Sequence, residues 1–295
     1  MTNSHIFQIL DHRAPQRALS SGFGVLDNSS GERPDWFEYW PIRQFLLTTA
    51  LDDAAFYGFL SLDFASKTNL TAPQVLELIQ QCDAETEVIL FSPGIDSSAQ
   101  FLNAFESAEA EHPGLIATTK RLFERIDRHT DLDELVNDSR NTAHTDYLVA
   151  KPRFWREWLA LNEQMFAIAE AGTGDLGRAL TSYAADRGRG KAQMKVLIME
   201  QIASLVLASD ASFATRVRTF VARDRVYKPP LAIVQDALKI AYRTQGFCQY
   251  KEVLRFVRAQ RKFWNFEIKL GSWIAFRSAR ANLRRSGAIW EDKGP

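Results

Sequence analysis

Short apolar runs alternate with segments of helical periodicity along the first half of the chain. Such runs, rich in β-branched and aromatic residues, are typical of buried strands. They are HIFQIL at residues 5–10, FYGFL at 56–60, VILF at 88–91 and TDYLVA at 145–150. Strands that alternate with helices predict an α/β fold with an open sheet flanked by helices.

The predicted helices lie between and after these runs. Asp35, Thr71 and Asp96 are expected N-caps, because a short polar side chain there accepts hydrogen bonds from the free N–H groups of the first turn. The helices are predicted over residues 36–51, from 72, from 97, over 115–127, from Pro152, over 194–207 and throughout the stretch beyond Pro229.

Two polar segments and one composition shift complete the predicted layout. Residues 20–35 and 129–145 are expected to be loops. We therefore predict a sheet-containing domain over residues 1–210 and a helical, basic C-terminal region over 211–295.

Polar side chains follow the predicted strands where they end. Ser61 and Asp63 follow the second strand, and Ser92 and Asp96 follow the third. In an open α/β sheet, ligands bind just beyond the carboxyl ends of the strands. The helix expected to begin at Asp96 would add free backbone N–H groups, which favour phosphate. The sequence therefore predicts a site at these strand ends.

Four more residues are candidates for this site. His144 and Asp146 flank the start of the TDYLVA run. Arg43 lies on the first predicted helix and is either directed towards the strand ends or a surface charge. Glu200 lies within the most apolar predicted helix, where a buried carboxylate is costly unless paired. It therefore faces a site or an arginine, or it lies on the exposed side of the helix.

The zero net charge conceals an uneven distribution. Residues 1–150 contain 23 acidic and 10 basic residues, and residues 151–295 contain 13 and 26. Residues 251–285 have 10 basic and 2 acidic residues, interleaved with aromatic ones. Such a segment suits an anionic membrane surface, and a helical cap packed on the domain explains it slightly better. Nucleic acid is not an expected partner, because the acidic half would repel phosphate.

The composition is that of an ordinary globular protein, with 46% hydrophobic and 24% charged residues. Cys82 and Cys248 offer neither a disulfide framework nor metal-ligand spacing, which favours a reducing compartment. The sequence begins without a secretion leader and has no apolar run long enough for a membrane span. We expect a cytoplasmic protein, with peripheral contact to the inner face of the cytoplasmic membrane as an option.

Two familiar patterns lack their structural context. Gly172, Gly174 and Gly177 spell GxGxxG, but no strand precedes them, so we interpret them as a turn between helices. Asp131 and Asp133 spell DxD, which in nucleotide-sugar transferases can hold a divalent cation such as Mn²⁺ or Mg²⁺ against a diphosphate. They follow no apolar strand, so we expect this match to be accidental. The absence of GxSxG, Walker, HExxH and zinc-cluster motifs disfavours hydrolases, NTPases and metalloproteases.

Five segments carry a resemblance to a known family: DWFEYWPIRQFL, FYGFLSLDF, VILFSPGID, TDYLVAKPRFW and MKVLIMEQIASLVLA. Over residues 5–210 they resemble a bacterial family of uncharacterised glycosyltransferase-like proteins of capsule and O-antigen gene clusters. That family looks distantly related to transferases with a Rossmann-like nucleotide-sugar fold of the GT-A type. The resemblance implies a nucleotide-sugar donor and a glycan or lipid-linked acceptor.

The resemblance also implies roles for particular residues. Tyr57 to Ser61 match the family's Y-G-F-x-S strand end, Pro93 and Asp96 its strand-to-helix turn, and Glu200 an acidic position in a late helix. The chain departs from the pattern at Leu62-Asp63, where Pro-Lys is expected, and at Gln201, where Arg is expected. The first departure removes an expected phosphate-binding cation, and the second removes a local ion pair.

Sugar transfer needs a base near the acceptor hydroxyl, and donors or a cation to neutralise the leaving diphosphate. The catalytic candidates are Asp63, Asp96, His144, Asp146 and Glu200, with Asp96 and Asp146 preferred as the base. The donor-binding candidates are Gln8, Asp11, Arg43, Tyr57, Ser61, Ser92 and Pro93. Two alternatives stay open: a non-catalytic α/β partner of a polysaccharide assembly complex, and a surface-binding module that uses only the basic C-terminal segment.

Overall fold

The predicted open sheet is present, and helices flank it. In this computed structural model, residues 3–11, 19–91, 101–184, 192–218 and 230–245 are described, and all of them fall in one compact unit, Met1–Gln245. Its strands are β1 (Ser4–Asp11), β2 (Gly24–Asn28), β3 (Phe56–Leu60), β4 (Val88–Leu90), β5 (Leu148–Ala150) and β6 (Thr215–Val217).

The strand order across the sheet is β2-β1-β3-β5-β4-β6. β5 runs antiparallel to both of its neighbours, and the other pairings between these six strands are parallel. The start of β5 therefore lies at the same edge of the sheet as the carboxyl ends of β3 and β4. The predicted α/β class with an open sheet flanked by helices is thus confirmed, and the sheet is mixed.

Most of the described helices match predicted ones, but the helix Phe64–Thr68 was not predicted. Residues 101–103 of the helix expected from residue 97 are not helical, and Asn103 caps the helix that begins at Ala104. They are α1 (Tyr39–Thr48), α2 (Phe64–Thr68), α3 (Ala72–Gln80), α4 (Ala104–Glu111), α5 (Leu115–Arg125), α6 (Pro152–Ala171), α7 (Gly174–Thr181), α8 (Met194–Ser209) and α9 (Pro230–Gln245). Thr71 caps α3 in a capping box with Gln74, as predicted. Gly172 ends α6 and Gly174 begins α7, both at positive φ, so the GxGxxG sequence is a turn between helices.

The core occupies both faces of the sheet, because successive side chains of a strand point to opposite faces. On one face, Phe56 and Leu60 of β3 belong to a cluster with Phe64. On the other, Phe59 packs edge-to-face on Trp155 of α6, with ring centroids 4.9 Å apart. All five residues of β3 are buried, which explains why this strand reads as an uninterrupted apolar run.

Gly58 allows β3 to pack closely against its neighbours. A Cβ atom at this position would lie 2.7 Å from Cγ2 of Val149 and 3.2 Å from Cδ1 of Ile6. Real Cβ atoms essentially never approach another atom so closely. A side chain at this position therefore requires Val149 to shift.

Two strands were not predicted, and both lie at the edges of the sheet. β2 falls within residues 20–35, which we predicted to be a loop, and Asn28 is its only buried residue. β6 has no buried residue. Edge strands of this kind are held mainly by backbone pairing, so they carry no apolar pattern. Because β6 pairs with β4, the sheet continues beyond the boundary that we placed at residue 210.

The prediction that Asp35 caps the first long helix is wrong. Asp35 lies in a 3-10 turn, Pro34–Trp36, and α1 begins only at Tyr39. The Asp35 carboxylate instead binds the guanidinium of Arg33 and, at 2.5 Å, Nζ of the buried Lys195. A long-range ion pair therefore replaces the local cap.

The polar segment 129–145 contains no long helix or strand, as predicted, and it contacts α9. Asp138 is fully buried and pairs with Arg140 and, at 3.0 Å, with Arg243 of α9. Ser139 donates a hydrogen bond from its backbone N–H to Asp236. These contacts hold α9 against the body of the unit. The predicted basic segment 251–285 lies outside the described residues.

Candidate functional site

The start of β5 brings Asp146 to the carboxyl ends of β3 and β4. Residues Thr145–Tyr147 form a 3-10 turn just before this strand. The backbone N–H of Ser61 donates to the carbonyl oxygen of Asp146 at 3.3 Å, and that of Phe91 donates to Tyr147 at 2.8 Å. The turn is therefore fixed between the two strand ends where the sequence predicted a site.

A cavity of about 490 Å³ opens beside this turn. The turn before β5 and helices α1 and α8 form most of its wall, and α2, α4 and α6 each add one residue. It is lined by Glu38, Tyr39, Ile42, Lys67, Glu111, His144, Thr145, Asp146, Tyr147, Trp158, Val196, Met199 and Glu200. The volume falls within the range of small-molecule sites, about 300–1,000 Å³.

The cavity brings together three of the predicted site residues: His144, Asp146 and Glu200. Glu200 lines the cavity and is also the exposed position between Met194 and Leu207, so two of its alternatives hold together. Both His144 and Glu200 are exposed to solvent, although protein atoms surround them on most sides. This is the environment of residues on the wall of a deep cleft.

Burial within the protein shifts the pKa values of His144, Asp146 and Glu200. Burial raises the pKa of Asp146 to about 6, against an opposing contribution from the positive charge of Lys67. Burial and then the charges of Asp146, Glu38 and Glu111 raise the pKa of Glu200 to about 8. Burial, followed by the charge of Lys67, lowers the pKa of His144. At neutral pH the site therefore presents an ionised Asp146, a protonated Glu200 and a neutral imidazole.

Lys67 lines the cavity and was not predicted. It follows Asp63 by one turn of α2, and its Nζ lies 3.5 Å from the Asp63 carboxylate and 5.7 Å from the ring centroid of Tyr147. Burial lowers the pKa of Lys67, but Tyr147 and the charges of Asp63 and Asp146 outweigh it, so the pKa is raised. The sequence signal was the spacing of four residues from Asp63, which is one helical turn.

Asp63 and Ser61 lie next to this site without lining the cavity. Asp63 is exposed and precedes the first residue of α2. The Oγ of Ser61 accepts a hydrogen bond from the backbone N–H of Asp63 at 3.1 Å. Both residues therefore shape the turn that leads from β3 to Lys67.

The side chains of Gln8 and Tyr57 form hydrogen bonds within the fold. Gln8 is fully buried, donates to the carbonyl oxygen of Ser61 at 3.2 Å and accepts from the backbone N–H of Ser20 at 2.6 Å. The hydroxyl of Tyr57 accepts a hydrogen bond from the backbone N–H of Asp52, and its ring stacks on His5. Neither side chain lines the cavity.

The other predicted donor-binding residues lie away from the cavity or outside the described residues. Arg43 forms a bidentate ion pair with Glu163, at 2.5 and 2.8 Å, and its guanidinium covers the ring of Phe166. Asp11 is the last residue of β1 and is paired in register with Asn28 of β2. Ser92, Pro93 and Asp96 lie outside the described residues.

The sequence left open a divalent cation as a cofactor. Within the described ranges, no three histidine, cysteine, aspartate or glutamate side chains are grouped closely enough to hold a metal ion. Asp131 and Asp133 of the DxD sequence lie in a loop, where Asp133 pairs with Lys120 at 2.6 Å.

Comparison with known proteins gives no relative for this chain. No protein-family model, no curated protein and no solved structure matches it. Within the described part of the chain, every helix is too short or too polar to traverse a lipid bilayer.

Proposed function

We propose that the protein is a glycosyltransferase of the GT-A type that moves a sugar from a nucleotide-sugar donor to a glycan or lipid-linked acceptor. The observation that carries this proposal is the Asp146 carboxylate, which lies in a cavity at the strand ends with a pKa of about 6. A general base works best when its pKa lies near the working pH. The mixed open sheet, with one reversed strand between parallel ones, is compatible with this fold type.

The proposed reaction uses Asp146 to accept one proton. The acceptor hydroxyl oxygen forms a bond to the anomeric carbon of the donor sugar as its proton passes to Asp146. The bond from that carbon to the diphosphate oxygen breaks, and the nucleoside diphosphate leaves with the electron pair. Because the carboxylate must be ionised to act, the rate is expected to rise with pH through about 6 and then level off.

Lys67 is the cation that this proposal assigns to the leaving group. Its position beside Asp63 supplies a positive charge close to where the resembling family has a lysine. One ammonium group can stabilise the negative charge that develops on a leaving phosphate oxygen.

The proposal is tested by incubating the protein with a panel of nucleotide sugars and measuring release of nucleoside diphosphate, with and without Mn²⁺. Asp146→Asn should lower the rate about 10²–10⁴-fold, the usual contribution of a general base. Asp83→Asn changes an exposed aspartate outside the cavity and serves as the matched control. Lys67→Met should slow turnover without abolishing binding of the donor.

A protein that neither consumes nor is thermally stabilised by any nucleotide sugar would contradict the proposal. Equal rates for the wild type and Asp146→Asn would remove Asp146 from the mechanism even if turnover occurs.

The second candidate function is that of a non-catalytic α/β partner in a polysaccharide assembly complex. It is favoured by Gln8, Tyr57 and Arg43, whose polar groups make bonds within the fold. This alternative predicts that no nucleotide sugar binds, so the same stabilisation experiment separates the two functions.

A further inference from the structure

One acidic side chain interrupts an otherwise buried helix where it borders the cavity. From Met194 to Leu207 of α8, every residue except Glu200 is buried. Glu200 opens into the cavity, and its carboxylate forms neither a hydrogen bond nor an ion pair with another described residue. A carboxylate in a deep cleft loses much of its hydration, which is costly unless a positive group compensates it.

Two further glutamates, Glu38 and Glu111, line the same cavity. Glu38 immediately precedes α1 and Glu111 is the last residue of α4, so three distant parts of the chain bring carboxylates to one place. The carboxylate of Glu111, like that of Glu200, has no partner among the described residues. By contrast, arginines neutralise the carboxylates of Glu163 and Asp138. We call the three glutamates of the cavity its acidic end.

The cation of Lys67 serves a different part of this cavity. The charge of Lys67 acts on the pKa of Asp146. The charges that act on the pKa of Glu200 are those of Asp146 and of the other two glutamates. Asp146 therefore lies between Lys67, where the proposed function places the leaving diphosphate, and the acidic end. This charge pattern suits an anionic group at Lys67 and a cationic group at Glu200.

We propose that the acidic end of this cavity binds the protonated amine of an organic ligand, beside the carboxylate of Glu200. An ammonium group has three N–H donors, which suits carboxylates that approach from different walls. Hydrogen bonds between charged groups are also stronger than neutral ones. That the amine belongs to the acceptor, as in an amino sugar, rests on the proposed function. The acceptor hydroxyl would then react at Asp146 while its amine is held at the acidic end.

Binding of a cation should also change the protonation of Glu200. In the free protein its pKa is raised to about 8, so it is protonated at pH 7. A neighbouring positive charge favours the ionised form and lowers this pKa. The bound amine should therefore displace the proton of Glu200 at pH 7, which a carboxylate with a merely structural role would not show. The other titratable groups of the cavity are Glu38, Lys67, Glu111, His144 and Asp146, with the phenols of Tyr39 and Tyr147.

The test is isothermal titration calorimetry of the full-length protein at pH 7. The cationic probes are glucosamine and 6-amino-6-deoxyglucose, and the neutral probes are glucose and N-acetylglucosamine. At least one amino sugar should bind with a Kd about ten- to hundredfold lower than the neutral probes, the usual contribution of a charged hydrogen bond. Titrations in two buffers of different ionisation enthalpy should show release of up to about one proton for each bound amino sugar.

Substitutions of glutamate by glutamine remove one charge each and keep the volume of the side chain. Glu200→Gln should raise the Kd of the amino sugar about tenfold or more and abolish proton release. Glu111→Gln should raise the Kd about two- to fivefold, because Glu111 is exposed at the end of its helix. Glu85→Gln is the matched control, since Glu85 is exposed and lies outside the cavity. It should leave the affinity and the proton release unchanged.

Three results would overturn the inference. The first is that amino sugars bind no more tightly than the neutral probes, and the second is that Glu200→Gln leaves their Kd unchanged. The third is that Mn²⁺, rather than an amine, is the cation whose binding Glu200→Gln abolishes. None of these results touches the proposed function if nucleotide sugars are still consumed with dependence on Asp146. Conversely, amine binding with proton release but without turnover supports the inference and contradicts the transferase.

Discussion

Replacing Asp146 by asparagine should stabilise the protein at neutral pH, by an amount that depends on pH. The substitution keeps the volume of the side chain and removes its charge. Burial raises the pKa of Asp146 from 3.8 to about 6. Between these two values the unfolded chain releases its proton while the folded protein retains it. The stability of the wild type therefore falls as pH rises through this window.

The magnitude follows from the size of the shift. A difference of about two pKa units, at about 1.4 kcal/mol each, corresponds to roughly 3 kcal/mol. Because Asp146 is half-buried, we expect about 2–3 kcal/mol. The extra stability of Asp146→Asn over the wild type, measured as the free energy of unfolding, should be close to zero below pH 4. It should reach its full value above about pH 6.

The assay is urea unfolding of both proteins between pH 4 and 8, followed by tryptophan fluorescence and analysed only where one transition is seen. Asp83→Asn, which removes an exposed carboxylate outside the cavity, serves as the control. The extra stability of Glu200→Gln over the wild type should continue to increase up to about pH 8, because the pKa of Glu200 is raised to about 8. A gain for Asp146→Asn that is the same at pH 4 and pH 8 would refute the reasoning, as would a less stable variant at pH 8.

Two further predictions concern the fold. Gly58→Ala places a methyl group 2.7 Å from Val149. Because overpacked cores are strained, it should lower the free energy of unfolding in urea by about 1–3 kcal/mol. If adding Val149→Ala recovers none of this loss, the clash is not its cause. Asp138→Asn leaves Arg140 and Arg243 without their buried partner and should cost about 3 kcal/mol. A double-mutant cycle with Arg243→Met measures this pair, and zero coupling energy would contradict the assigned role.

The sequence by itself determined the strands that are buried on both faces and the helix that Thr71 caps. β3 and β4 have no solvent-facing side, so each is a continuous apolar run that no loop would carry. Thr71 and Gln74 form a local cap whose signal lies within four residues. The edge strands β2 and β6 escaped prediction because backbone pairing with β1 and β4, rather than their own side chains, holds them in the sheet.

Part of the candidate site was also predictable. Asp146 was found because it precedes an apolar run, and Glu200 because a carboxylate in an apolar helix is costly unless something compensates it. The sequence of its own helix could not show that Glu200 lines a cavity. That depended on the other walls with which α8 forms the cavity.

Only the tertiary structure decided which polar groups meet a partner and which face the cavity. In the sequence, Gln8 and Tyr57 were donor-binding candidates, and Trp158 looked like an ordinary core residue. The first two find partners in distant segments, whereas the indole N–H of Trp158 finds none among the described residues. The antiparallel direction of β5, which places Asp146 at the edge that also receives the ends of β3 and β4, was likewise set by pairing across the sheet. A local pattern specifies the conformation and burial of its own segment, but hydrogen-bond partners are chosen by the packing of elements that are far apart in the chain.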